Sequence, residues 1–207
     1  YYILNNHLNE NESERLYGKF QLDYDFLQYF KLTYRLGLDT STGHRMIGIP
    51  NYAAMYPDTP NYADQLSSMT GETSQQTTRR RQLENDLILN YTQQFGKLDV
   101  NGVAGLNGRE YRSSYVFGQV TNLTIPTYFN LSNSSEIPSV SQYEQKLRTL
   151  GAYAQAELGW DNMLYLTLTA RNDWSSTLPK DNRSYFYPGA TVSWIFTEML
   201  PQNLKDY

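Results

Sequence analysis

The sequence predicts an all-β chain, a segment of an antiparallel transmembrane β-barrel with about seven strands. Three observations predict it. Apolar and polar residues alternate through seven stretches, and short and long connections take turns between them. Aromatic residues gather at the ends where the connections are short. Alternation with period two marks strands that bury one face. A strict alternation of turn length is what short periplasmic turns and long extracellular loops produce.

The strands follow in order. Residues 14–26 set Leu16, Phe20, Leu22, Tyr24 and Phe26 against Tyr17, Lys19, Gln21, Asp23 and Asp25. Residues 30–40 set Phe30, Leu32, Tyr34, Leu36 and Leu38 against Lys31, Thr33, Arg35 and Asp39. Residues 82–95 put Leu83, Leu87, Leu89, Tyr91 and Phe95 on one face. Residues 98–112 do so with Leu98, Val100, Ala104 and Leu106, and residues 147–160 with Leu150, Ala152, Ala154, Ala156, Leu158 and Trp160. Residues 163–173 alternate Leu164, Leu166, Leu168 and Ala170 with Tyr165, Thr167, Thr169, Arg171 and Asp173. The last, 185–196, alternates Phe186, Pro188, Ala190, Val192, Trp194 and Phe196 with Tyr187, Gly189, Thr191 and Ser193. Each is as long as a tilted membrane strand of ~9–11 residues, or longer.

The tight turns fall at Leu27-Gln28-Tyr29, Gly96-Lys97 and Asp161-Asn162. The long loops are predicted at 41–81, 113–146 and 174–184. Seven of the eight prolines lie outside the predicted strands, as a hydrogen-bonded ladder requires, and Pro188 lies near a strand start. Tyr24, Phe26, Tyr29, Phe30, Tyr91, Phe95, Trp160, Trp194 and Phe196 cluster at the tight-turn ends. That is the pattern of an interfacial aromatic girdle. A soluble sandwich whose core aromatics lie near its turns would give part of the same pattern.

Composition narrows the function classes. The 207 residues carry a net charge of −4, which argues against a nucleic-acid surface. There is no cysteine, hence no disulfide framework and no thiolate chemistry. Mean hydropathy is −0.62, and no apolar run approaches the ~20 residues of a membrane helix. The chain opens at Tyr1-Tyr2-Ile3 without an initiator methionine. Seven antiparallel strands do not close with the even number usual for bacterial barrels. The expectation is therefore a portion of a larger barrel.

The segment 150–198 resembles the late-barrel region of SusC/RagA-type TonB-dependent outer-membrane transporters of Bacteroidetes. The shared pattern is carried by Arg171, Asp173, Ser175, Ser176, Asn182, Arg183, Pro188 and Trp194. The stretch NDLILNYTQQFGKLDVNGVAGLNGREYR (85–112) is similar to another hairpin of that family. Trp174, Thr177-Leu178 and Tyr187 depart from the family pattern and point to a subgroup. The resemblance implies a barrel of about 22 strands with a plugged lumen. The plug domain is expected to lie outside this chain. It also implies TonB-driven import of oligosaccharides or peptides, a SusD-like surface lipoprotein as partner, contact with outer-membrane lipid, no cofactor and no enzymatic activity. Two alternatives stand beside it: a soluble secreted all-β carbohydrate-binding or glycosidase module, and a passive porin.

Site chemistry in the sequence is sparse. His7 and His44 lie far apart and form no metal-ligand spacing. Asp23 and Asp25 share a strand face, which reads as lining of a water-filled lumen rather than a catalytic pair. Asp173, Ser175 and Ser176 have no accompanying histidine, so they read as turn-makers at a strand end. Arg79-Arg80-Arg81 reads as a solvated cluster bracing a loop, and would also suit lipopolysaccharide phosphates. The predicted loops are the expected place of recognition. Tyr52, Tyr56, Tyr62, Tyr115, Tyr128 and Phe129 offer aromatic planes to a substrate or a lid partner, and would equally pack the loops together.

Overall fold

The structure, a computed structural model, describes residues 6–56, 69–179 and 183–199. One sheet holds β1 (Leu8–Phe26), β2 (Phe30–Asn51), β3 (Thr70–Phe95), β4 (Leu98–Thr121), β5 (Ser139–Trp160), β6 (Leu164–Ser175) and β7 (Ser184–Trp194), in sequence order. One helical turn, α1 (Tyr52–Met55), follows β2, and a 3-10 turn at Phe196–Met199 ends the described chain. Neighbouring strands are joined by hairpins throughout. Each strand therefore finds its ladder partner in the next one along the chain.

The register of the last three strands shows how the sequence sorts its two faces. Trp160, Leu164 and Trp194 form one cross-strand row. Leu158, Leu166 and Val192 form the next, followed by Ala156, Leu168 and Ala190, and then Ala154, Ala170 and Pro188. The opposite face reads Glu157, Thr167 and Thr191, then Gln155, Thr169 and Gly189, then Tyr153, Arg171 and Tyr187. A slip of one residue would exchange the faces completely.

The apolar face is open. Among the described residues the buried hydrophobic side chains are Tyr52, Val120 and Leu123. Phe20, Leu22, Tyr24, Leu168, Val192 and Trp194 are exposed instead, Trp194 at 59%. Apolar surface this continuous is incompatible with a soluble domain, which must bury one such face. It is the expected state of strands whose solvent is hydrocarbon. The soluble-module alternative falls on this observation.

Dimensions agree. Trp160 and Leu150 lie ten residues apart on β5, as do Leu164 and Trp174 on β6. At about 3.3 Å per residue and a tilt of about 40°, that stretch spans roughly 25 Å along the membrane normal. Rings at the tight-turn end of β1, β2 and β3 form a chain of contacts. Tyr24 stacks on Phe26 at 5.7 Å, Phe26 on Phe30 at 5.4 Å, and Phe30 tilts against Tyr91 at 4.9 Å. The turns themselves are tight. Leu27, Gln28, Gly96, Asp161 and Asn162 all take positive φ, the hand that matches strand twist in short hairpins. Lys97 bridges two of them, donating to the Asp161 carboxylate at 2.5 Å.

Several predicted boundaries need correction. β2 runs to Asn51 and β3 begins at Thr70, so the predicted loop 41–81 shrinks to 52–69. β4 runs to Thr121 and β5 begins at Ser139, so 113–146 shrinks to 122–138. β1 starts at Leu8, six residues earlier than expected. These extensions lose the strict alternation, running polar through Ser41-Thr42-Gly43-His44-Arg45 and mixed through Met46-Ile47-Gly48-Ile49 and Tyr115-Val116-Phe117. Beyond the hydrocarbon neither face needs apolar residues, so the ladder continues without the period that marked it. Loop 174–184 shrinks likewise, with β6 reaching Ser175 and β7 starting at Ser184. β7 stops at Trp194, short of the predicted Phe196, where the chain turns into its 3-10 segment. The third tight turn includes Met163. Pro50, placed outside the strands by pattern, is the penultimate residue of β2 and is buried. A residue so close to the strand end costs the ladder little.

The chain divides into two compact units. One holds Tyr1–Leu16, Asp39–Arg81 and Arg112–Lys146; the other holds Tyr17–Leu38, Gln82–Tyr111 and Leu147–Tyr207. The second carries the girdle and the rows described above.

The face assignment makes a direct prediction. Leu168→Arg places a cation in the middle of the apolar band, at a cost of ~2–4 kcal/mol. Thr167→Arg points to the opposite face, beside Glu157. In the full-length parent protein the first variant should reduce the yield of heat-modifiable barrel in outer-membrane preparations, and the second should not. Equal yields would defeat the assignment.

Candidate functional site

The first unit contains the structured loop material. Residues 122–138 form a compact cap organised by one side chain, Asn133, which is buried. Its amide nitrogen donates to the carbonyls of Ile125 at 2.8 Å and Tyr128 at 2.6 Å. Its oxygen accepts from the Ile125 amide at 2.9 Å. An isolated bridge pairs Leu123 with Ser134, and Glu136 accepts from Thr121 Oγ1 at 2.9 Å and from Asn122 Nδ2. Asn51 ties this cap to the end of β2. Its side chain donates to the Leu123 carbonyl at 2.7 Å, and its own amide donates to the Pro126 carbonyl at 2.9 Å. The same side chain caps α1, accepting from the Ala54 amide at 2.9 Å.

The six aromatic candidates separate by what lies beneath them. Tyr52 is buried in α1, with the His7 ring 6.1 Å away, so its face is not offered to a ligand. Burial pushes its phenol above the usual range, and Tyr56 adds to the shift. Phe129 lies against the backbone at Gly48, where a Cβ would come within 2.4 Å of the ring. Tyr115 is not in a loop but in β4, and it stacks on Tyr143 of β5 at 5.8 Å. Tyr56 and Tyr128 remain exposed, at 41% and 52%. Tyr62 lies outside the described residues.

The motif residues make a structural constellation in the second unit. Arg171 forks onto Asp173, with Nε 2.9 Å from Oδ2 and Nη2 2.8 Å from Oδ1. Its guanidinium also lies 5.7 Å from the Tyr153 ring centroid. Gly151 lies beneath them, where a Cβ would meet Asp173 Oδ1 at 2.7 Å. Ser176 and Arg148 exchange hydrogen bonds, the Ser176 amide to the Arg148 carbonyl and the Arg148 amide to Ser176 Oγ, both at 2.9 Å. Ser175 Oγ meets Thr177 Oγ1 at 2.8 Å, and Arg183 Nε donates to the Leu178 carbonyl at 3.0 Å. Pro188 pairs with Ala170 and Trp194 with Leu164 on the apolar face. Asn182 lies outside the described residues.

Other polar groups line the same face as Arg171. Asp23 accepts from Thr33 Oγ1 at 2.6 Å and from Gln21 at 2.8 Å. Arg109 pairs with Glu84 at 2.7 Å, and Asn107 donates to Asp86 at 2.5 Å. Among the described residues no cluster of three His, Asp or Glu side chains converges as metal ligands would. His44 meets Thr77 Oγ1 at 3.3 Å. Pattern reading missed Asn51 and Asn133, because an asparagine in a polar loop has no period to mark it. The one available signal was composition, an Asn-rich stretch between two strands.

Asn133→Ala should leave the Ile125 amide without its acceptor and the Ile125 and Tyr128 carbonyls with only their backbone donors, the Tyr128 amide at 3.3 Å and the Asn130 amide at 3.1 Å, at a local cost of about 1–3 kcal/mol. The expected result is faster limited proteolysis within 122–138 with unchanged barrel assembly. Protease resistance equal to the unmodified protein would show that the cap holds without this side chain.

Comparison with known proteins agrees with this geometry. A solved structure of the RagAB peptide transporter superposes with a TM-score of 0.81 at 16% identity, covering 95% of this chain and 21% of that one. The RagAB peptide importer in its 'open-open' state gives 0.78 at 17% identity, covering 97% and 21%. The siderophore receptor PiuA from Acinetobacter baumannii gives 0.50 at 10% identity, covering 89% and 29%. This chain thus spans about a fifth of the RagAB chains it resembles, and the likeness at these identities is one of fold. A search of the curated proteins gave no match. The model of the family described as TonB dependent receptor-like, beta-barrel matches residues 1–204, and the chain belongs to that family of outer-membrane barrels.

Proposed function

We propose that this chain is part of the wall of a SusC/RagA-type, TonB-dependent importer that takes up oligosaccharides or peptides together with a SusD-like surface lipoprotein. The observation that carries the reading is the division of the strands into a continuous exposed apolar face and a polar face of paired side chains. A wall of that kind separates hydrocarbon from an aqueous path. Family membership and the RagAB fold support the same reading. The chain supplies wall, lumen lining and loops, and no bond-making chemistry. Solute binds between the loops and the lipoprotein lid, and TonB then displaces the plug of the parent protein. Tyr56 and Tyr128, the more exposed of the described loop candidates, are the rings assigned to contact with solute or lid.

Two experiments on the parent transporter test this. Uptake of labelled oligosaccharides or oligopeptides should stop when TonB is deleted; uptake that continues undiminished would identify a passive porin. Replacing Tyr56 and Tyr128 together by alanine should weaken uptake or lid association several-fold at equal surface abundance, since a stacked ring contributes ~0.5–1.5 kcal/mol beyond its burial. Unchanged uptake and unchanged lid co-purification would assign both rings to loop packing.

Sidedness is tested separately. Ile137, 94% exposed, lies on the proposed outer side, and Lys97 lies in a proposed periplasmic turn. These 207 residues contain no cysteine, and any elsewhere in the parent transporter is replaced first. On intact cells an impermeant maleimide should label Ile137→Cys and spare Lys97→Cys; strong labelling at 97 would invert the orientation.

A further inference from the structure

Within the first unit, β1, β2 and β3 enclose a hollow of about 570 Å³ to which each strand contributes three residues. Asn9 and Asn11 come from β1, Gly43 and Arg45 from β2, Thr78 and Arg80 from β3. Every contribution falls on the parity opposite the strand's apolar set. Asn9 and Asn11 share parity with Lys19 and Gln21, Arg45 with Lys31 and Thr33, and Arg80 with Glu84 and Asp86. The hollow therefore opens on the polar, lumen side of the wall.

Its charge is one-sided. Two guanidiniums line it, and among the described residues no carboxylate does. The acids nearest in sequence on the same faces are engaged elsewhere. Asp39 holds Arg15 in a two-pronged pair, at 2.9 Å to Nε and 2.6 Å to Nη2, and Glu72 accepts from Gln119 at 3.2 Å. The net charge of the chain is −4, and Glu10, Glu12 and Glu14 alternate with the lining residues on the other parity of β1, so the positive excess belongs to the lining face alone.

The spacing of the two arginines is informative. Thr40 Oγ1 donates to the Arg80 carbonyl at 3.2 Å, and Gly37 lies against Glu84, which sets Arg80 opposite Ser41 on the lining face of β2. Arg45 stands four residues further along β2. At about 3.3 Å per residue that separates their backbone positions by roughly 13 Å. Between them Gly43 leaves the wall low, since a Cβ there would meet only the Glu12 carbonyl oxygen, at 3.8 Å. The result is a trough with a cation at each end and amide and hydroxyl groups along its sides.

We propose, on the importer reading above, that this trough is a lumen-side subsite for an extended acidic oligopeptide, with carboxylates about four to six residues apart on the guanidiniums of Arg45 and Arg80. An extended peptide rises ~3.3 Å per residue, the same interval as the strands that form the trough. Its backbone amides are matched by Asn9, Asn11 and Thr78. Arginine holds a carboxylate through two parallel N–H donors, a geometry lysine cannot reproduce.

The test uses the purified parent transporter with its lid lipoprotein and three probes. These are a hexapeptide with aspartate at both ends, its asparagine counterpart, and an oligouronate of similar length. The acidic peptide should bind at least tenfold more tightly than the asparagine peptide, with a preference that fades as salt rises. The double substitution Arg45→Gln with Arg80→Gln should abolish that preference while leaving the asparagine peptide and barrel assembly unchanged. Substitution by lysine at both positions should restore only part of it. Equal affinity for the two peptides, or a preference that survives the double substitution, would overturn the proposal. An oligouronate that is bound in an Arg45- and Arg80-dependent way, with no discrimination between the peptides, would overturn the peptide assignment. TonB-dependent uptake of the asparagine peptide distinguishes a wrong subsite from a wrong importer reading, because it persists in the first case and is absent in the second.

Discussion

Hydrocarbon offers no hydrogen-bond partner, and that single constraint shapes the rest of this structure. Each backbone N–H and C=O left unpaired in lipid costs several kcal/mol. A strand there must be paired on both sides, which fixes the chain as one sheet in sequence order with tight hairpins. The positive φ values at Leu27, Gln28, Asp161 and Asn162 follow from the same demand, since a short turn must keep adjacent strands in register without splaying them. The constraint also bears on β1 and β7. Among the described residues each has one edge without a partner, and an unpaired strand edge in lipid carries more penalty than the ~5–15 kcal/mol net stability of a domain can offset. Both edges require neighbouring strands, in keeping with a chain that covers 21% of the RagAB chain it resembles.

Once the ladder is imposed, the side chains are free to differ by face. Lipid asks only for apolar surface, and the rows from Trp160 to Leu150 meet that with residues of varied size. The polar face is more specific. Arg171 is fixed by Asp173 and Tyr153, and Tyr153 in turn lies over Gly105 of β4, where a Cβ would come within 2.3 Å of the ring. Glu84 with Arg109, and Asp86 with Asn107, continue the same logic on β3 and β4. These pairs are largely exposed, so each contributes little to stability on its own. Their effect is to fix where charge stands along an aqueous surface.

This division explains what could be read from the sequence. The seven strands, their faces and the three tight turns were legible because hydrocarbon enforces period two and hairpins enforce short connections. Leu166 against Thr167 is the simplest case: one faces Leu158 and Val192, the other Glu157 and Thr191. The strand ends were not legible. From Ser41 to Asn51 and from Thr70 to Arg81 the ladder persists, yet no strict alternation records it, and Gly48, Pro50 and Thr73 are covered by other parts of the protein. The residues around Arg171 stood out as a pattern, but Asp173, read as a turn-maker, lies within β6 against Arg171, and only Ser175 and Ser176 stand at the strand end. The loop aromatics were legible only as a set. Which ring is free depends on what lies under it, and that is decided by residues far away in sequence. Gly48 receives Phe129, and Tyr143 receives Tyr115.

The same boundary separates stability from recognition. Inside the hydrocarbon every position serves either the lipid or the ladder, and a charge on the wrong face is costly. Beyond it the strands still supply a rigid frame, but neither face is constrained by lipid. Side chains there can be placed for chemistry alone. The trough between Arg45 and Arg80 lies in such a stretch, where three strands hold polar groups at fixed intervals without a hydrophobic partner. Loops such as 122–138 reach comparable order by another route, with Asn133 satisfying three backbone groups at once. A strand extension fixes spacing through its 3.3 Å rise, whereas a capped loop fixes it through a few side chains, Asn133 and Asn51 among them, that bond several backbone groups each. The first tolerates substitution at any single lining position without losing its geometry, and so leaves its charge pattern free to change with the solute.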